Sequence, residues 1–203
     1  RRRGGLGLAP MTPDRDLREW QGLLRLAGFP VRLYASPMAM KWSKLLLNLL
    51  ANATCAILDW PTERVLGDPR AFAVERAAFR EALGVMRALG LPAVTLPGYP
   101  VPWLVWVLEQ WPAAVARRVL APLAARGRGR KLPSLHLDLR RGARPEVAAY
   151  SGAVVRHGAR LGVPTPVHRA LAEILEGLAA GREDPAFWRG NVEALLRRAG
   201  LAG

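Results

Sequence analysis

Residues that build disulfides and metal sites are scarce in this sequence. Its 203 residues include one cysteine, Cys55, and three histidines. One cysteine excludes an internal disulfide, and Cys55 lies in an apolar stretch, where a free thiol packs as a small hydrophobe. The histidines, His136, His157 and His168, lack the spacing of metal ligands. The sequence therefore indicates neither a disulfide-rich secreted domain nor a histidine metal centre, and it favours a reducing, cytoplasmic setting.

Long apolar runs and nucleotide-binding loops are also missing. The longest apolar runs, such as residues 101–108, are far shorter than the roughly 20 residues that cross a bilayer, so we predict no membrane span. No Gly-x-Gly-x-x-Gly stands between a predicted strand and a helix, and there is no Walker loop. The glycine cluster at residues 4–7 lacks both a preceding strand and a following helix. We therefore predict no cofactor-binding residue in this chain.

Lysine is rare, although the chain is strongly basic. Lys41, Lys44 and Lys131 are its lysines, so arginine supplies nearly all of the 30 basic residues behind the formal net charge of +14. Clustered arginine is the electrostatic footprint of phosphate binding. Here the arginines form short, scattered groups without a zinc-finger or RNA-recognition signature, which argues against nucleic acid as the partner. A non-catalytic basic helical module that binds nucleic acid or another polyanion is kept as the alternative function.

The apolar pattern divides the chain in two. Hydrophobic residues make up 51% of the sequence, which is enough for a packed globule. Residues 6–8 and 31–34 have the pattern of short strands, and residues 17–26 between them have helical spacing. A strand, a helix and a strand cannot form a domain alone, so residues 1–37 are predicted to be the tail of a preceding domain. The chain starts at Arg1 without a methionine, and we expect a longer protein.

From residue 38 onward the period is helical, which predicts a mainly α domain over residues 38–203. The predicted helices cover residues 38–58, 71–89, 103–125 with interruptions at Pro112 and Pro122, 134–141, 145–161, 167–178 and 187–199. Residues 91–102 are read as a proline-rich connection and residues 126–131 as a flexible basic loop. Trp103, Trp106 and Trp111 form an aromatic cluster of the kind found in cores and oligomer contacts.

Three polar residues recur at intervals of four in the first of these helices: Lys44, Asn48 and Asn52. Each step advances about 40° around an α-helix, so the three share one narrow face. The leucines and alanines around them predict a helix that is buried nearly all round. A buried ammonium and two buried carboxamides need partners, which are either a polar ligand or neighbouring backbone carbonyls and water. Spacing alone leaves both interpretations open.

Three motifs follow one another along the helical part of the chain. The first is Trp42-Ser43-Lys44-Leu45 with Asn48 and Asn52; the second is Ser-Leu-His-Leu-Asp at residues 134–138, followed by Arg140-Arg141-Gly142 and Glu146; the third is Gly152, Gly158 and Leu-Gly-Val-Pro-Thr-Pro at residues 161–166. In this order the motifs resemble those of the C-terminal domain of ketopantoate reductase (2-dehydropantoate 2-reductase), over residues 38 to about 178.

The resemblance implies a mainly α fold, the helical C-terminal domain of a 6-phosphogluconate-dehydrogenase-like reductase. Residues 1–37 would then be the last strand, helix and strand of a truncated Rossmann domain, a short α/β remnant. The family reduces a 2-keto acid, ketopantoate, to pantoate with NADPH, in pantothenate biosynthesis. NADPH would be bound mainly by the dinucleotide-binding half that this chain lacks, so the chain alone is expected to be inactive. The implied partners are a small-molecule 2-keto acid and a second copy of the chain in a homodimer.

The resemblance also implies roles for five residues. Lys44 would be the general acid that protonates the carbonyl oxygen, and Glu146 would orient the substrate hydroxyl or Lys44. Asn48 and Asn52 would hydrogen-bond the hydroxyl and carbonyl side of the substrate. Ser134 would contact its carboxylate. Near Glu146 the sequence departs from the family pattern, because Thr, Asp and Asn of that pattern are replaced by Pro145, Ala148 and Ser151.

Overall fold

The computed structural model describes residues 4–12, 15–128, 134–140 and 147–202. Within these ranges the chain is mainly α-helical and contains one small sheet of two parallel strands. The mainly α fold predicted from the sequence is therefore confirmed. Glu146, Arg141, Gly142 and residues 129–131 of the basic loop predicted at residues 126–131 lie outside the described residues.

The chain begins with a strand, a helix and a strand, as predicted. β1 (Leu6–Leu8) and β2 (Val31–Leu33) pair in parallel, with Leu6 opposite Val31, and α1 (Arg18–Leu26) connects them. The Asp16 carboxylate accepts a hydrogen bond from the backbone N of Arg18, which satisfies one of the free amides at the start of α1. None of the residues of α1 is buried.

Helices make up the rest of the described chain. They are α2 (Pro37–Leu49), α3 (Asn52–Leu58), α4 (Thr62–Gly67), α5 (Pro69–Ala88), α6 (Val101–Gln110), α7 (Ala113–Arg128), α8 (Ser134–Arg140), a 3-10 turn (Val147–Ala149), α9 (Ser151–Leu161), α10 (Pro166–Ala179), α11 (Pro185–Trp188) and α12 (Val192–Arg198). No helix in the described ranges combines the length and the hydropathy that a membrane span requires.

The first long helix is broken, which corrects the sequence prediction of one helix from residue 38 to 58. Leu50 has extended backbone and Ala51 lies in the left-handed region with φ of 61°, so α2 stops and α3 restarts in a new direction. The buried carboxylate of Glu75, on α5, accepts a hydrogen bond of 2.5 Å from the backbone N of Ala51. A carboxylate from another helix thus replaces the helical partner of this amide, and Asn52 no longer shares a helix with Lys44.

Three further helix boundaries differ from the predictions. α7 runs through Pro122 and reaches Arg128, so this proline interrupts nothing and the start of the predicted basic loop is helical. A proline removes one backbone hydrogen bond from a helix, and here the helix continues past that loss. The described part of the segment predicted at residues 145–161 consists of a 3-10 turn followed by α9. α4 was not predicted, because the turn residues around it hide a helix of six residues.

The last predicted helix, at residues 187–199, is two short ones. Gly190 has a φ of 70°, a backbone conformation that separates α11 from α12. Each of the two helices has its own cap: the Asp184 carboxylate accepts from the backbone N of Ala186, and the Asn191 side chain accepts from that of Ala194.

α5 is the central helix of the fold. It packs against α2, α4, α6, α7, α9, α10 and α12. The Asp68 carboxylate caps its start, accepting from the backbone N of Ala71. Phe72, Phe79 and Met86 are almost fully buried and stand seven residues apart, so they form one apolar stripe along the helix. This stripe lies in the core of the helical part of the chain.

Two hydrogen bonds hold the proline-rich connection, which ends at Pro100 because α6 begins at Val101, against α2 and against the end of β2. The Ser43 hydroxyl oxygen, fully buried, accepts from the backbone N of Val94 at 2.9 Å. The Tyr34 hydroxyl, just after β2, donates to the carbonyl O of Thr95 at 2.8 Å. The small sheet, α2 and this connection therefore meet at one place, and the candidate site lies there.

Candidate active site

α2 presents a polar face to solvent. Lys41 and Lys44 are exposed and Asn48 is half-buried, and their spacing of three and then four residues places them on one side of the helix. The opposite side carries the buried Trp42, Ser43, Leu46 and Leu49. The prediction of a helix buried nearly all round is therefore wrong, because α2 is amphipathic and its lysines are hydrated.

A cavity of about 500 Å³ lies between this face and the first strand. Its lining consists of Gly4, Gly5, Gly7, Met40, Lys41, Lys44, Leu96, Pro97 and Tyr99. The Lys44 ammonium lies 6.0 Å from the centre of the Tyr99 ring, at the outer limit of a cation–π contact. Lys44 therefore stands between the small sheet and the proline-rich connection, and its side chain is exposed.

The glycines of this cavity are explained by packing. A Cβ at Gly5 would lie 2.5 Å from the carbonyl O of Pro30, and a Cβ at Gly7 would lie 2.7 Å from the sulfur of Met40. A side chain at either position would push β1 away from its neighbours. The glycines at residues 5 and 7 therefore allow this segment to approach its neighbours closely.

A second cavity, of about 300 Å³, lies on the other side of the same lysines. It is lined by Met38, Lys41, Trp42, Lys44, Leu45, Asn48, Ala149, Tyr150, Ala153 and His157. His157 packs edge-on against Trp42 with ring centres 5.3 Å apart, which ties α9 to α2. Lys41 and Lys44 line both cavities, and Asn48 joins them in the second.

Charge in the two cavities is of one sign. Each contains two lysines, and no Asp or Glu is among the described residues that line either cavity. Most of the remaining lining is apolar or aromatic. A concave, largely apolar surface with a few polar groups is the usual form of a small-molecule site, and here its charge selects an anion.

Asn52 and Ser134 lie together, and neither is among the described residues that line these two cavities. The Asn52 amide donates to the Ser134 hydroxyl at 3.2 Å, and the Asn52 carbonyl oxygen accepts from the backbone N of Leu135 at 3.2 Å. Asn52 is 5% exposed, so both bonds satisfy a buried carboxamide. The sequence left two kinds of partner open, a polar ligand or neighbouring protein groups and water. Asn52 is paired with neighbouring protein groups, whereas Lys44 lies on the solvent-exposed face of α2.

The structure thus divides the predicted site residues into two groups. Lys44 and Asn48 line one cavity together; Asn52 and Ser134 bond to each other; Glu146 lies outside the described residues. Sequence analysis missed Lys41, although its position three residues before Lys44 was a usable signal. It also missed Tyr99, which has no such signal because it reaches Lys44 from a distant loop.

The arrangement is suited to acid catalysis on an anionic substrate. A lysine side chain in water carries a proton at neutral pH, and it can donate that proton to an oxygen that gains negative charge. An amide such as that of Asn48 can donate to or accept from a substrate hydroxyl or carbonyl. Among the described residues no cluster of three or more His, Cys, Asp or Glu side chains is placed to hold a metal ion.

Comparison with known proteins assigns this fold. The family model described as the C-terminal domain of ketopantoate reductase PanE/ApbA matches residues 37–179. The 2-dehydropantoate 2-reductase of Pyrobaculum aerophilum is 30% identical over 154 residues, which are 76% of this chain and 48% of that protein. The chain thus spans about half the length of this curated relative.

Solved structures agree. A PanE/ApbA family ketopantoate reductase from Ralstonia eutropha JMP134 superposes with a TM-score of 0.67 at 27% identity, over 90% of this chain and 53% of that one. D-mandelate dehydrogenase, solved with NADH and anilino(oxo)acetate, has a TM-score of 0.68 at 18% identity, over 87% of this chain and 66% of that one. The second similarity concerns the fold alone. On the match to the family model, the chain belongs to the ketopantoate reductase family and corresponds to its C-terminal domain.

Proposed function

We propose that this chain is the substrate-binding and catalytic half of an NADPH-dependent 2-dehydropantoate 2-reductase, which converts ketopantoate to pantoate in pantothenate biosynthesis. The observation that supports it is the pairing of Lys44 and Asn48 in a cavity without described acids, in a chain that matches the family's C-terminal domain. The relatives named 2-dehydropantoate 2-reductase support the substrate class.

A reduced nicotinamide supplies the hydride in such a reaction. The substrate carbon becomes tetrahedral, the electrons of the C=O double bond move to oxygen, and Lys44 gives that oxygen a proton. The neutral amine then regains a proton from water, so atoms and charges balance. Before the transfer, the positive charge of Lys44 also stabilises the negative charge that develops on the oxygen.

The other predicted residues keep their proposed roles. Asn48 hydrogen-bonds the hydroxyl or carbonyl side of the substrate. Ser134 is exposed, and its hydroxyl oxygen accepts from Asn52, so its own proton remains available for a substrate carboxylate. Asn52 then acts on the substrate through the hydrogen bond that it donates to the Ser134 hydroxyl. Glu146 is proposed on the family motif alone to orient the substrate hydroxyl or Lys44.

We further propose that residues 1–37 are the end of a Rossmann domain that binds most of the dinucleotide, and that residues 38–203 are the substrate-binding and dimerisation domain. Two features support this division. A sheet of two strands is rarely stable alone, and its outer edges present unpaired backbone groups. Large apolar side chains are also exposed on this unit: Leu6, Trp20, Leu23, Leu26 and Phe29. A larger parallel sheet with its helices would cover both features.

A homodimer and a cytoplasmic setting are parts of the same proposal. Trp103 and Trp106 are exposed on α6, and Trp106 packs edge-on against Trp111 with ring centres 5.2 Å apart. Exposed tryptophans of this kind suit an interface between copies, which the sedimentation mass of the protein would reveal. Cys55 is buried and forms no disulfide, and its thiol donates to the Thr62 hydroxyl, which supports a reducing compartment.

The fold gives little support to the alternative function, a basic helical module that binds a polyanion, because several arginines donate hydrogen bonds to backbone carbonyls of the protein. The Arg76 guanidinium donates to the carbonyl oxygens of Leu108 and Trp111, and Arg117 donates to that of Gly67. These arginines hold the ends of helices α6 and α4. They are therefore not a continuous surface for a polyanion.

The test is the substitution Lys44→Ala in the complete enzyme. Loss of a positioned acid should lower kcat by roughly 10² to 10⁴. Arg118→Ala removes one positive charge from an exposed position on α7 that is not among the lining residues of either cavity, and it should leave kcat within about twofold, since only Lys44 is proposed to donate the proton. Unchanged turnover in Lys44→Ala would remove this lysine from the mechanism.

A further inference from the structure

Lys41 is a charged residue of the site that none of the three motifs assigns. It is exposed, and it lines both cavities beside Lys44. Residues three apart on a helix are neighbours, about 5 to 6 Å between their Cβ atoms. Lys41 can therefore reach the same ligand as Lys44.

The surroundings of the two lysines give them no internal counter-charge. No described carboxylate forms an ion pair with either ammonium, and the described cavity linings contain no Asp or Glu. Two like charges held side by side over apolar walls favour an incoming anion. By contrast, Arg70, Arg87 and Arg198 are each paired with a glutamate.

The proposed chemistry also gives a second cation a use. Lys44 loses its positive charge at the moment it protonates the substrate oxygen, so it cannot hold an anionic group through the whole reaction. A neighbouring ammonium that does not donate its proton keeps that group in place. Ser134 can add a hydrogen bond but no charge.

We propose that Lys41 is a binding residue for an anionic oxygen of a reactant, either the carboxylate of the 2-keto acid or a phosphate of the dinucleotide. This inference rests on the proposed function. Lys44 then acts as the acid and Lys41 as the permanent cation. A charge-assisted hydrogen bond of this kind corresponds to about a tenfold change in affinity.

The scarcity of lysine allows a direct experiment on the 203-residue chain. Reductive methylation with ¹³C-formaldehyde gives each lysine a separate dimethylamine NMR signal and leaves its positive charge. Lys41, Lys44 and Lys131 are the lysines of the chain, and the variants Lys41→Gln and Lys44→Gln assign their signals. The probes are ketopantoate, its neutral lactone and NADPH, each titrated separately.

If the keto acid is the source of the anion, ketopantoate shifts the Lys41 signal, the lactone does not, and Lys41→Gln weakens ketopantoate binding about tenfold. If the dinucleotide is the source, NADPH shifts the Lys41 signal and Lys41→Gln weakens NADPH binding instead.

Arg118→Gln is the matched control, because it removes one positive charge from an exposed position on α7. An equal loss of affinity in Arg118→Gln and Lys41→Gln would mean that only the general positive charge attracts the ligand, which overturns the proposal. So would the absence of any Lys41 shift with both anions. Binding that depends on Lys41 without turnover in the complete enzyme would leave Lys41 as an anion site and reject the proposed function.

Discussion

At the scale of single residues, the spacing along the sequence predicted which side chains share a cavity better than it predicted whether they are buried. Lys44 and Asn48, four apart, do line one cavity, but Lys44 is hydrated where burial was predicted. Asn52 obeys the same spacing, yet it pairs with Ser134, which is 82 residues away. A sequence cannot reveal that partner, because the contact depends on how α3 and α8 pack.

His168 gives a prediction about pH and stability. It is fully buried, with a ring nitrogen bonded to the carbonyl O of Ala78, and burial lowers the pKa of its imidazole to about 4. The unfolded chain, with an ordinary histidine, takes up this proton first as the pH falls. The contribution of His168 to the free energy of unfolding is therefore fully present above about pH 6.5. It decreases by about 3 kcal/mol in all as the pH falls toward 4.

The measurement is urea unfolding of the wild type and of His168→Gln from pH 8 to pH 4. Glutamine keeps a donor for the Ala78 carbonyl and does not titrate. Glu81 binds the backbone N of His168, and burial raises the pKa of its carboxyl, so it titrates in an overlapping range in both proteins. The difference between the two unfolding free energies isolates His168; a difference that does not change with pH would contradict the prediction.

At the scale of elements, periodicity located most of the helices but not the breaks between them. The helix at residues 38–58 looked continuous, because its leucines and alanines suit a helix throughout. The break at Ala51 is imposed by Glu75 of α5, a tertiary contact that overrides local preference. Breaks that coincide with a helix-breaking residue were predicted, such as the one at Pro112 between α6 and α7.

We expect the Asn52 side chain to stabilise the start of α8 more than it stabilises its own helix, α3. Asn52→Ala removes the acceptor for the amide of Leu135 at the start of α8 and the donor to Ser134, which should lower the free energy of unfolding by about 1 to 2 kcal/mol. Asn52→Asp keeps the acceptor and loses the donor, so it should protect the Leu135 amide from hydrogen exchange better than Asn52→Ala does. Equal exchange in both variants and the wild type would show that Asn52 does not hold α8.

At the scale of the whole molecule, two exposed features support the proposal that this chain works together with a dinucleotide-binding domain. Lys41 and Lys44 line two cavities whose described residues include no acid, and the first strand, helix and strand expose apolar side chains and sheet edges. The family membership was readable from three ordered motifs, because each contains residues held at fixed spacing by a helix or turn. The different surroundings of Asn48, in a cavity, and Asn52, bonded to Ser134, were not readable from the sequence, since they depend on the break at Ala51.

The most direct test is NADPH oxidation by the protein as made in its own cell, with its intact mass determined, beside the 203-residue chain. We expect a mass larger by roughly the 150 residues of a dinucleotide-binding domain, oxidation of NADPH on addition of ketopantoate, and no turnover by the chain alone. Turnover by the isolated chain, or a larger protein that leaves NADPH unchanged with ketopantoate, would contradict the proposal that this chain is one half of a 2-keto acid reductase.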